Sequence, residues 1–231
     1  MRTLIALACL AFASAAPADA ASRNFGISGF DRIRVDGAFK VRLTTGVAPF
    51  ARATGSQSAI DAVTIAVNGR TLSVRSNRSA WGGYPGAVHG PVEIEIGTHE
   101  LDSAWLNGSG SLAIDRVKAL AFDLSVQGAG SASIGSIAVD RLRVTLFGPA
   151  SASLAGTAPG MTAIVRGAAS LDASQLQVKD ATIGAEGTVT VAAQVSGTAK
   201  VEAQGAASVA LSGRPACTVR AMGSASVSGC R

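Results

Sequence analysis

The chain has few aromatic residues, few histidines and no long apolar run, and each shortage removes a class of protein. Only 4% of its 231 residues are Phe, Trp or Tyr, although 48% are hydrophobic. The apolar mass is therefore Ala and Val, which suits a narrow interior built of thin layers rather than one wide core. The two histidines, His89 and His99, precede the repeats described below. No repeat therefore carries the imidazole that a serine nucleophile would use as its base. After the N-terminus no stretch approaches the ~20 continuous apolar residues of a membrane helix, so no membrane span is expected. Charge of one sign is not gathered either. The net +5 is spread as +3 over residues 21–100 and +2 over residues 101–231. A nucleic-acid surface concentrates such charge in a stripe beside aromatics, so no nucleic-acid partner is expected.

Residues 1–20 read as a cleaved signal peptide: Arg2, the apolar run LIALACLAFA, and Ala18-Asp19-Ala20 as a small-x-small site. Cys9 follows Ala6-Leu7-Ala8, a poor match to a lipoprotein signal, and the apolar run continues past it. The mature chain is thus expected in the periplasm, at the cell surface or outside the cell. It keeps Cys217 and Cys230, for which a disulfide is the default in an oxidising compartment.

What the chain has in abundance is glycine, 27 residues, and seven of them open similar phrases. GSGSLAI at Gly108, GAGSASI at Gly128, GPASASL at Gly148, GAASLDA at Gly167, GTVTVAA at Gly187, GAASVAL at Gly205 and GSASVSG at Gly223 recur every 18–20 residues. Positions four and two before each glycine and four after it are apolar, as in Leu124, Val126 and Ala132 around Gly128. Polar residues mostly stand between them, the alternation of strands on either side of a glycine corner. A unit of this length cannot bury its own apolar face, so copies must stack. The expectation is an all-β fold, a right-handed parallel β-helix (β-solenoid) over residues 101–231, the hand following from the crossover preference.

Three residues after each glycine stand Ser111, Ser131, Ser151, Ser170, Thr190, Ser208 and Ser226. Stacking places them one above another, and the expectation is a structural hydroxyl ladder bonded along the column, not a row of nucleophiles. The carboxylates Asp102, Asp115, Asp123, Asp140, Asp172 and Asp180 fall in different columns or non-adjacent copies. That scatter suits neither a metal site nor an acid/base pair, so no cofactor, metal or catalytic residue is expected.

Residues 21–100 also alternate as strands but lack the repeat, and are expected to cap or extend the column. Asn68-Gly69 between two such runs is a hairpin signal. If Asp36-Gly37-Ala38 is a hairpin loop, Arg34 faces Lys40 and Arg32 faces Arg42, four cations on one face. Either Glu93 and Glu95 of VEIEI neutralise them, or they form an anion or sugar-carboxylate site. The segment WGGYPGAVHG places Trp81, Tyr84 and His89 on a glycine-rich loop, either for ligand contact or as a plug over the column end.

The spaced pattern F-x-x-I-x-V-x-G-x-F-x-V-x-L from Phe30 to Leu43, then I-x-V-x-G-R-T-L-S-V from Ile65 to Val74, then the Gly-Ser copies, resembles the bacterial family called putative auto-transporter adhesin, head GIN domain. The resemblance implies export and a β-helix-like fold, and brings no catalytic or binding residues with it. The expected function is an adhesin-like interaction module of the cell envelope, with an envelope polysaccharide or surface protein as partner and the oligomeric state open. The alternatives are a purely structural envelope component and a β-helix polysaccharide lyase or hydrolase.

Overall fold

The computed structural model describes residues 21–77 and 91–231. The expected signal peptide, 1–20, and the loop carrying Trp81, Tyr84 and His89 lie outside the described residues. The N-terminal part contains β1 (Ala21–Phe25), β2 (Arg32–Asp36), β3 (Lys40–Thr45), β4 (Phe50–Gly55), α1 (Gln57–Asp61), β5 (Val63–Asn68), β6 (Thr71–Ser76) and β7 (Glu93–Thr98). The repeats supply β8 (Ser103–Asn107), β9 (Ser111–Gln127), β10 (Ser131–Phe147), β11 (Ser151–Thr157), β12 (Gly160–Gly167) and β13 (Ser170–Gly187). The chain continues through β14 (Thr190–Gly205), β15 (Ser208–Ser212), β16 (Ala216–Gly223) and β17 (Ser226–Ser228).

The repeats form a β-solenoid. Each strand pairs in parallel with its counterpart one copy away, as in Ala132↔Leu112 and Val144↔Leu124 between β10 and β9. Alternation of buried and exposed residues breaks twice within β9. Asp115 and Arg116, then Leu120 and Ala121, are exposed in succession. Those breaks are two corners of the coil, and the glycine is the third. All seven repeat glycines have positive φ, from +75° to +118°, a region L-residues avoid. One rung thus has a side after the glycine (residues 131–134 in β10), a short middle side (136–139) and a side before the next glycine (141–147). The inward positions are almost all apolar and buried. They are largest in β9, with Leu112, Val117, Phe122 and Leu124, and shrink towards Ala193, Ala199 and Ala203 in β14.

The repeat extends further towards the N-terminus than the sequence phrases indicate. Gly37, φ +134°, is an eighth corner: β2 pairs in parallel with β8 and β3 with β9, and Gly37 N donates to Asn107 O at 2.8 Å. On the other side of this rung β6 pairs with β2 and β7 with β3, again in parallel. The β2–β3 rung is therefore sandwiched between two rungs that follow it in sequence. Beyond them the pairing turns antiparallel, β5 on β6, β4 on β7 and β1 on β4. The β5–β6 hairpin forms as expected, one residue later than Asn68-Gly69 implied. Asn68 pairs with Thr71, and Gly69 (φ +60°) with Arg70 makes the turn, the positive φ at its first central position being that of a II′ turn. Helix α1 crosses from β4 to β5. Ser56 caps it by accepting from Ala59 N at 3.2 Å, and it buries Ala59 and Ile60.

At the other end, β16 and β17 pair with β14 and β15, and Val219 and Met222 are exposed. A disulfide joins Cys217 to Cys230 across this rung. Removing both thiols as Cys217→Ala/Cys230→Ala is expected to cost about 2–3 kcal/mol by the entropy of closing so short a loop. Urea denaturation of the oxidised chain and the double variant measures it, and coincident curves would refute the contribution.

Candidate functional site

The four cations expected on one face are divided between two sides. Strands β2 and β3 are not a hairpin, because Gly37 turns the chain around a solenoid corner instead of back along itself. Lys40 and Arg42 project from the side after the glycine, in register with Glu93 and Glu95 of β7. Lys40 Nζ lies 2.5 Å from Glu93 Oε1 and Arg42 Nη1 lies 3.7 Å from Glu93 Oε2. The Lys40 hydrogen bond holds the Glu93 carboxyl below the usual carboxylate range. Arg34 and Arg32 project from the side before the glycine. Arg34 Nε donates to Asp36 at 2.8 Å, and that bond raises the guanidinium pKa. Arg32 Nε is 3.8 Å from the buried Asp31 carboxylate, which pairs with Arg70.

The hydroxyl column faces outward beside Lys40, over a shallow trough of about 330 Å³. No side-chain hydrogen bond joins its members among the described residues, contrary to the ladder expected from sequence. Equivalent atoms on neighbouring strands lie ~4.8 Å apart, too far for a direct Oγ–Oγ bond. The column is bonded through its backbone instead: Ser131 N to Gly110 O at 3.0 Å, Ser151 N to Gly130 O at 3.0 Å, Ser170 N to Ala150 O at 2.9 Å and Thr190 N to Ala169 O at 3.0 Å. Ser111, Ser208 and Ser226 repeat the pattern at 2.7–2.8 Å. Small residues suit this column because the chain turns tightly just before it.

The side before the glycine carries the larger feature, a groove of about 1680 Å³ reaching from Arg32 to Thr218. Its outward column presents one polar side chain per rung, including Arg32, Asp123, Arg143, Thr162, Thr182 and Lys200. Burial pushes the Asp123 carboxyl up, opposed by Arg143 in register on the next rung. Asp180 accepts from Thr198 N at 3.1 Å and Thr198 Oγ1 at 2.6 Å, which holds its carboxyl low and ties two rungs together.

Trp105 of β8 projects into this groove, half-buried, in register with Arg34 on one side and Ser125 on the other. The sequence reading did not single it out, although the signal was present. Trp105 stands between the inward positions of Ala104 and Leu106, so alternation alone assigns its indole to the outer face. Further along the same side the Arg166 guanidinium lies 5.7 Å from the Phe147 ring centroid and pairs with Glu186 at 2.9 Å. Among the described residues no three His, Cys, Asp or Glu side chains gather as a metal site. Among them, too, no helix is long and apolar enough to cross a membrane.

A family model described as putative auto-transporter adhesin, head GIN domain, matches residues 29–215. A putative adhesin from Bacteroides fragilis has the same fold, with TM-score 0.82 at 17% identity, over 90% of this chain and 96% of that one. A putative lipid binding protein from Parabacteroides distasonis aligns with TM-score 0.70 at 19% identity, over 92% and 97%. A putative adhesin from the same species aligns with TM-score 0.68 at 16% identity, over 90% and 96%. None of the curated proteins matches the sequence.

Proposed function

The chain belongs to the family described as putative auto-transporter adhesin, head GIN domain, and we propose that it is a non-catalytic, exported binding module of the cell envelope. The observation that carries this reading is the groove along the side before the glycine, lined by Trp105 and by a polar side chain on each rung. Such a surface can hold a ligand over its length, because a stacked backbone fixes each side chain one rung from the next. The Cys217–Cys230 disulfide and the expected signal peptide support export. The expected partner is an envelope polysaccharide or a surface protein.

The test is retention of the labelled mature chain on isolated bacterial envelopes. Saturable binding, competed by unlabelled protein, is expected. A folded chain that leaves envelopes unlabelled at every concentration would sink the binding role and favour a structural one.

A further inference from the structure

We infer that the groove binds a linear polysaccharide lying along the solenoid axis, with Trp105 as its stacking platform. This rests on the binding reading above and adds the ligand class and its orientation. Shape is the first argument. Lining residues run from Arg32 on β2 to Thr218 on β16, a span of seven rung steps or about 34 Å at the spacing of paired strands. A small molecule would occupy a fraction of that length, and an extended polymer can follow all of it.

Chemistry is the second argument. Five Lys or Arg and four Asp or Glu side chains line the groove, so donors and acceptors are mixed with little net charge. A nucleic acid or an anionic lipid surface calls for a one-sided excess of cations. Sugar hydroxyls both donate and accept, and they suit a mixed row such as Asp123, Arg143, Thr162 and Thr182. Trp105 supplies what that row lacks, an apolar ring face with one N–H donor.

Periodicity is the third argument. Two rungs advance the groove by about 9.6 Å, close to one disaccharide of an extended β-linked chain. Successive disaccharides would therefore meet equivalent backbone positions, and affinity should rise with chain length until the groove is filled.

The experiment is titration calorimetry of the mature chain against linear oligosaccharides of two to eight units. The series comprises β-glucans, mannans and oligogalacturonates, with vesicles of phosphatidylethanolamine and phosphatidylglycerol in parallel. At least one glycan series is expected to bind, with affinity rising with length. Trp105→Ala should weaken it by at least about tenfold, and Arg143→Ser should weaken it less. Ser151→Ala on the opposite side should leave it unchanged. Circular dichroism verifies that each variant is folded, and Trp105→Phe, which keeps a ring, should retain most of the affinity.

Binding to vesicles alone, no binding to any of the three glycan series, or equal affinities for wild type and folded Trp105→Ala would each overturn the inference. A chain that labels envelopes but fails these glycan tests separates this failure from that of the binding role itself.

Discussion

Replacing Phe122 by alanine is expected to cost about 3–5 kcal/mol, the range for deleting a buried aromatic ring. Phe122 is the largest fully buried side chain described. It occupies an inward column in which Leu142 follows on the next rung, then Met161, Ala181 and Ala199. The parallel backbone ladder on both sides fixes the rungs at their spacing, so the walls cannot close on the space left behind. In a chain of this length such a loss lowers Tm by on the order of 10 °C. Urea denaturation at 25 °C measures it, and a loss below about 1 kcal/mol would mean that this part of the core is loosely packed.

The second large effect belongs to a glycine corner. Gly187 has φ +105°, and a Cβ built there would meet the carbonyl oxygen of Gly167, one rung below, at 2.5 Å. That oxygen already accepts from Thr188 N at 2.8 Å, while Gly187 O accepts from Ala206 N at 3.0 Å. Gly187→Ala must therefore strain the backbone and disturb bonds to two neighbouring rungs, at a cost of about 2–4 kcal/mol. The control is Gly26→Ala, where an added Cβ meets nothing within 4 Å and a change within about 0.5 kcal/mol is expected. If both variants unfold at the wild-type urea concentration, the corner has no special conformational demand.

The solenoid was legible in the sequence because its corner needs positive φ, and a column of glycines records that need directly. Alternating Ala, Val and Leu recorded the inward columns in the same way. The eighth corner at Gly37 escaped because Lys40, not serine, follows it by three residues, and because 71 residues separate it from Gly108. In that interval the chain passes to the other side of the β2–β3 rung, through antiparallel β4 and β5, before returning as β8. Sequence order and stacking order part company there, and periodicity cannot follow.

The cation pairs were misplaced for a related reason. A glycine between two alternating runs signals a reversal in a hairpin and a corner in a solenoid, and only the strand pairing separates the two. The groove was legible least of all. Its column changes chemistry from rung to rung over Arg32, Ser103, Asp123, Arg143 and Thr162 before Thr182 repeats the threonine. No repeated phrase marks it, and Trp105 was visible only as an aromatic at an outward position.

The most direct test of a ligand lying in this groove is hydrogen exchange of the mature chain with and without a bound oligosaccharide. Amides of residues 103–105, 118–123, 141–143, 160–162, 180–182 and 198–200, which line the groove, are predicted to slow on binding, while residues 131–134 and 151–154 on the hydroxyl side keep their rates. Slowing confined to the hydroxyl side would contradict the account.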